Sequence, residues 1–138
     1  APAIGSGARL LPMYAHGVRV DEAALRADAS YAGKHIDIAL MGMGADGHTA
    51  SWFPQSPQIE DALDIDNPRI VIAVEAHNAA GAAARLTLTR SALSRASAIT
   101  MLITGDEKRS LLGKADRAAL PVDRLFDLRA PAEAFWSA

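Results

Sequence analysis

The run Ile36-Asp37-Ile38-Ala39-Leu40-Met41 leads without a break into Gly42-Met43-Gly44-Ala45-Asp46-Gly47, an apolar segment feeding a loop of small residues. Few folds accommodate both halves. A strand so dense in apolar residues reads as buried on both faces, the habit of parallel sheets covered by helices. Two further runs share its character, Arg69 to Val74 and Ala98 to Thr104. Helical segments lie around them. Asp21 is placed to cap a helix from Glu22 to about Ala32, with Ala24, Leu25, Ala29 and Ala32 at helical spacing and Gly33 as a stop. Asn78 to Ala84 is small and flexible, a loop. Arg85-Leu86-Thr87-Leu88-Thr89 alternates and predicts a short strand running into a helix over Arg90 to Arg95. Gly105-Asp106 opens a helix to about Ala115, Pro121 to Phe126 reads as one more helical turn, and Ala134-Phe135-Trp136 reads as a short terminal strand. Apolar strands alternating with helices specify an α/β fold, here a mostly parallel, Rossmann-like sheet flanked by helices in one domain over residues 1–138.

Composition narrows the function classes. At 138 residues and 50% apolar content, a folded chain buries about two-thirds of its surface, which excludes disorder. No apolar stretch approaches the roughly 20 residues of a membrane helix. A net charge of −2, without a basic block, argues against a nucleic-acid partner, because nothing would track the phosphate backbone. The absence of cysteine excludes disulfides, thiolate zinc sites and Fe–S ligation, and fits a reducing compartment. Four histidines at positions 16, 35, 48 and 77 form no i, i+4 pair and no His-x-x-x-Glu cluster, so no metal site is expected. His16, His35 and His77 read as solvent-exposed.

The loop Gly42 to Gly47 satisfies G-x-G-x-x-G after a strand, and Glu75 ends the next strand where a ribose-binding acid would sit. A dinucleotide fingerprint also needs a full helix packed through its third glycine. Pro54 and Pro57 follow too soon to allow one. The longer string from Gly42 through His48-Thr49-Ala50-Ser51-Trp52-Phe53 to Pro54 reads better. Small residues such as Gly44 and Gly47 let backbone N–H groups face a ligand at the C-terminal end of a buried strand, where open α/β sheets bind ligands. Asp46 and His48 stand two residues apart in that loop, and a histidine there can act as a base near neutral pH. Spacing alone fits equally well a surface-loop histidine with Asp46 capping a short helix.

This string resembles the G-x-G-x-D-G-H-x-A-S-x-F-P signature of the 6-phosphogluconolactonases. Asp66-Asn67-Pro68-Arg69, the Arg85 to Thr89 stretch, Leu102 to Lys108, Leu120-Pro121 and Phe135-Trp136 follow in the family's order, from about Leu11 onward. Trp52 stands where Leu is usual and Gln55 where Gly is usual. Asp46-Gly47-His48 is shared with the related glucosamine-6-phosphate deaminases, but the Thr-Ala-Ser-x-Phe-Pro continuation favours the lactonases. The resemblance implies the sugar-phosphate isomerase/deaminase/lactonase fold, with only its C-terminal part present. The opening strand and Ser-Gly-Gly phosphate loop have no counterpart, since Ser6-Gly7 has no strand before it and the chain opens Ala-Pro-Ala without Met. A fragment of this kind is expected to be incompetent alone. It should expose an apolar surface on the strand from Ile36 to Met41 or from Ile99 to Ile103, open to self-association through the sheet edge.

The resemblance also implies a cytoplasmic hydrolase of the pentose phosphate pathway, acting on a phosphorylated sugar lactone without a cofactor. His48 resembles the family's catalytic base, and Asp46 would orient it or stabilise its protonated form. Lys108 falls in the first turn of its helix, where the macrodipole disfavours a cation. The family assigns this lysine to substrate phosphate, although such a side chain can also reach water on its own. Arg85 matches an arginine that could hold phosphate bidentately, or it is a surface charge beside a flexible loop. Trp52 and Phe53 read as core and pocket wall, and Met41 and Met43 as core filler. Two other functions remain open: a deaminase-like enzyme, which would need a further acid near the loop, and a non-catalytic sugar-phosphate-binding module of a regulator, which would carry a helix-turn-helix.

Overall fold

A computed structural model of the chain describes residues 7–77, 81–114 and 120–138. The first helix, α1 (Val20–Tyr31), follows an extended Arg19 that provides no side-chain cap. Asp21 is therefore not the cap expected of it. It lies in the first turn, accepts the N–H of Glu22 at 3.0 Å and pairs with Arg19 at 3.0 Å. A carboxylate suits the positive end of a helix anywhere in that turn, so residue type alone does not settle which position it takes. Ala23, Ala24 and Ala27 form the buried face, while Leu25 and Ala29 point to solvent. Small side chains let the helix backbone approach its neighbour closely. The helix ends at Ala32, and Gly33 continues in the left-handed region at φ +71°, a conformation glycine adopts without penalty.

Three strands form a parallel sheet in the order β1 (Ile38–Gly42), β4 (Ala98–Thr104) and β5 (Ala132–Ser137). Ile38 pairs with Ala98, and the row Gly42, Leu102 and Phe135 crosses all three strands. The other two strands, β2 (Val71–Glu75) and β3 (Ala84–Leu88), pair antiparallel as a separate ribbon, Val71 opposite Leu88. The parallel sheet expected from the apolar runs is present, but the run from Arg69 to Val74 lies outside it. Residues 78–80, within the loop expected between these strands, fall outside the described residues.

Asp28 of α1 locks the ribbon to the helix. Its Oδ1 accepts the N–H groups of Ile70 at 2.6 Å and Val71 at 3.0 Å, and its Oδ2 lies 3.1 Å from Nε of Arg69. Charge-assisted bonds of this kind are worth about 1.5–3 kcal/mol each when partly shielded from water. The remaining helices are short: α2 (Ile59–Leu63), α3 (Arg90–Leu93), α4 (Asp106–Leu112) and α5 (Asp123–Phe126). Thr89 caps α3, its Oγ1 accepting the N–H of Ala92 at 3.1 Å. The helix expected to reach Ala115 ends at Leu112 with Gly113 as its cap, and Ala115 falls outside the described residues. Only α2 follows the glycine loop before β2, too short and too late for a dinucleotide site.

The core gathers on one face of the sheet, where Ile99, Met101 and Ile103 of β4 meet Trp52, Leu93, Val122 and Leu125. The opposite face is largely bare. Ile38 is 67% exposed, Leu40 66%, Leu102 51% and Phe135 54%. The expectation that β1 is buried on both faces is thus corrected: it is an edge strand, and among the described residues the side its even-numbered residues share is left largely open. Side chains alternate strictly along a strand, so one uncovered layer exposes every second residue. This face adds to a total surface of 8452 Å², against roughly 6,900 Å² for a protein of this mass. Among the described residues, no helix is long and apolar enough to cross a membrane.

Candidate active site

The loop leaving β1 folds back on itself. Met43 and Thr49 form an antiparallel bridge, Gly44 N–H donates to the carbonyl of His48 at 2.9 Å, and Gly47 N–H donates to the carbonyl of Gly44 at 3.1 Å. Buried Thr49 donates through Oγ1 to the carbonyl of Gly42 at 2.8 Å. The turn is therefore fixed from inside, and Asp46 and His48 project from it side by side. Asp46 Oδ1 stands 2.5 Å from Nδ1 of His48 and accepts the backbone N–H of the same residue at 3.2 Å.

Partial burial works to raise the Asp46 carboxyl, and the imidazole and backbone N–H of His48 outweigh it, leaving the carboxyl below its usual range. Asp46 is thus a carboxylate at neutral pH and can only accept, so the proton of the contact is carried by Nδ1 of the imidazole. The histidine side chain is 26% exposed and the aspartate 52%. His48 borders an open cavity of about 500 Å³ whose walls include Gly42, Gly44, Ser51 and Thr87, with Met13 and Leu86. The imidazole thus has one nitrogen held by Asp46 and borders a largely apolar cavity in which Ser51 and Thr87 supply hydroxyl-bearing side chains.

The structure explains the two glycines differently from the sequence. Their N–H groups donate within the loop rather than outward. A methyl group at Gly44 would fall on the imidazole of His48 and lie 2.7 Å from Oδ1 of Asp46. Gly47 has φ +78°, and a Cβ there would come within 3.0 Å of Leu120. Gly44 leaves room for the Asp46–His48 pair, and Gly47 lets the turn close against the segment at Leu120, where Val122 N–H donates to the carbonyl of Gly47 at 3.1 Å.

Arg85 joins the site through an aromatic ring. Phe53 is buried, with its centroid 4.4 Å from that of His48, and Cζ of Arg85 lies 5.0 Å from the same ring centre. The guanidinium is tethered through Nε to the carbonyl of Ala82 at 3.1 Å. It lines a second cavity of about 490 Å³ that shares Met13 and Leu86 with the first. Lys108 lies on α4, which follows β4. Because β1 and β4 run parallel, the lysine stands at the same end of the sheet as the His48 loop. His35 and His77 are exposed, next to Asp37 and Glu75 respectively. Among the described residues, no group of three or more His, Cys, Asp or Glu could hold a metal.

Sequence reasoning missed two features. Ala50, which lines the cavity, has φ +51°, a left-handed conformation that costs a residue with a side chain about 1 kcal/mol or more. Nothing in the letters Thr-Ala-Ser signals it. Ser51 N–H donates to Oγ1 of Thr87 at 3.1 Å, which stitches the loop to β3. The alternating Leu-Thr-Leu-Thr pattern could have suggested an inward threonine, but not its partner.

Comparison with known proteins is consistent along almost the whole chain. Residues 3–136 match the family described as glucosamine-6-phosphate isomerases/6-phosphogluconolactonase. The 6-phosphogluconolactonase of Caulobacter vibrioides is 40% identical over 116 residues, covering 83% of this chain and 50% of that protein. The 6-phosphogluconolactonase of Rhizobium meliloti is 36% identical over 137 residues, covering 94% and 58%. The crystal structure of a 6-phosphogluconolactonase from Shewanella baltica OS155 superposes with a TM-score of 0.78 at 30% identity, covering 91% of this chain and 55% of that one. The chain spans about half the length of the curated relatives it matches.

Proposed function

The chain belongs to the family of glucosamine-6-phosphate isomerases and 6-phosphogluconolactonases, and from that premise we propose that it hydrolyses 6-phospho-D-glucono-1,5-lactone to 6-phosphogluconate. The single observation that carries the proposal is the Asp46–His48 pair at the wall of an open cavity. Nε2 of His48 takes a proton from water as the oxygen attacks the lactone carbonyl carbon. The resulting imidazolium is stabilised by Asp46. When the tetrahedral centre collapses, the bond to the ring oxygen breaks and His48 returns the proton to that oxygen. The product acid then ionises to solvent. Arg85 and Lys108 hold the phosphate, a group remote from the bond being broken, and Gly44 and Gly47 shape the loop around the base. No cofactor takes part.

The reaction belongs to the pentose phosphate pathway, and the proposed compartment is the cytoplasm. The chain carries no nucleic-acid partner in this reading, and the bare sheet face supports self-association. Hydrolysis of the phosphorylated lactone, followed alongside turnover of glucosamine 6-phosphate, tests the assignment within the family. In the intact enzyme, the wild-type site should act on the first and not the second. His48→Ala should lower kcat by about 10²–10⁴ with little change in KM. Lactone hydrolysis by that variant within a few-fold of wild type would remove His48 from the mechanism.

A further inference from the structure

Phe53 touches both polar arms of the site at once. Its ring centre lies 4.4 Å from the imidazole of His48 at an interplanar angle of 41°, and 5.0 Å from Cζ of Arg85. The two arms come from unrelated elements, His48 from the loop after β1 and Arg85 from β3. Asp46 tethers Nδ1 of His48, and the Ala82 carbonyl accepts from Nε of Arg85. An imidazole held at one nitrogen can still swing about that bond. A buried aromatic ring packed against it removes this freedom, and the negative face of the same ring attracts a guanidinium. The adjacent Trp52 provides a contrast. It is fully buried and donates through Nε1 to the carbonyl of Leu88 at 2.8 Å, anchoring the loop to β3.

We infer that Phe53 is a positioning residue that sets the distance and orientation between the base at His48 and the cation at Arg85, and so the preference for a phosphorylated over an unphosphorylated lactone. The inference rests on the proposed roles of His48 and Arg85. A substrate with its phosphate on Arg85 presents its carbonyl carbon at a fixed reach, and only a base held at the matching separation meets it.

The test compares Phe53→Met, which keeps apolar bulk without a ring, with Phe53→Tyr, which keeps the ring. Thermal unfolding identifies folded variants, with Phe53→Leu replacing Met if Met fails to fold. In the ringless variant, kcat/KM on the phosphorylated lactone should fall about tenfold or more, through lower kcat and higher KM together. The preference for phosphorylated over unphosphorylated lactone should shrink. In an Arg85→Ala background, removing the ring should no longer raise KM. Without any substrate, ¹³C relaxation of the His48 ring should show added fast motion in Phe53→Met and a return towards wild type in Phe53→Tyr. A folded Met or Leu variant with a rigid imidazole and both constants within twofold of wild type overturns the inference, as does a folded Tyr variant that behaves like Met. If wild type and His48→Ala hydrolyse the lactone equally, the proposed function fails, and the relaxation measurement still decides whether Phe53 holds the imidazole.

Discussion

One carboxylate oxygen of Asp46 binds His48 twice, 2.5 Å from Nδ1 of the ring and 3.2 Å from the backbone nitrogen of the same residue. The pair therefore forms within a single turn of the chain. The contact puts a proton on Nδ1, so in the proposed mechanism Nε2 is the nitrogen that acts as the base.

The charge state of Asp46 follows from that contact. Burial raises its carboxyl, and the bonds from His48 lower it by more, to a net position below the usual range. A group with a depressed folded-state pKa contributes its stabilisation fully above the unfolded value, near pH 4, and loses it as the pH falls through the lower folded value. The Asp46–His48 contact should thus persist throughout the neutral range and break only in stronger acid. In an NMR titration, His48→Ala should move the Asp46 midpoint upward, because burial is then opposed by less. A midpoint that stays put or falls would contradict the contact. Asp46→Asn should lower kcat, by less than His48→Ala.

Gly44→Ala makes a sharper probe of the same pair. The added methyl collides with the imidazole and the carboxylate, so the variant should keep its circular dichroism spectrum yet lose most of the effect of His48 on kcat, about 10²-fold. A fully active Gly44→Ala protein would mean that the pair is not held as described.

Arg85→Ala and Lys108→Ala should act on KM. Each charge-assisted contact to phosphate is worth about 1.5–3 kcal/mol, or roughly tenfold or more in affinity. The unphosphorylated lactone should be indifferent to both substitutions. Equal losses on the two substrates would show that these cations serve the fold and not the phosphate.

The bare face of the sheet should make the chain sticky. Leu40 and Leu102 project from that face with Ile38 and Phe135, exposed large apolar side chains of the kind that drive association. Sedimentation should show a mass that rises with concentration, and the double variant Leu40→Lys, Leu102→Lys should suppress the rise. Identical concentration dependence in the variant would place association elsewhere.

Much of this was legible in the letters because it is local. Each apolar run, Ile36 to Met41, Arg69 to Val74 and Ala98 to Thr104, yields a strand, since backbone alternation and β-branched side chains act within a few residues. Asp46 and His48 meet because they are two residues apart on a turn that glycine permits. The strand exposure was not legible: Ile38 and Leu40 look as buried as Ile99 and Met101 in sequence, and what separates the two cases is that, among the described residues, a packed layer covers only one face of the sheet. The partnership of β2 with β3, the clamp of Asp28 on Ile70 and Val71, and the Phe53 ring between His48 and Arg85 also escaped notice. Each joins residues from distant parts of the chain, and such contacts depend on how elements pack in three dimensions, a sum of many weak burial terms that no short window of sequence contains.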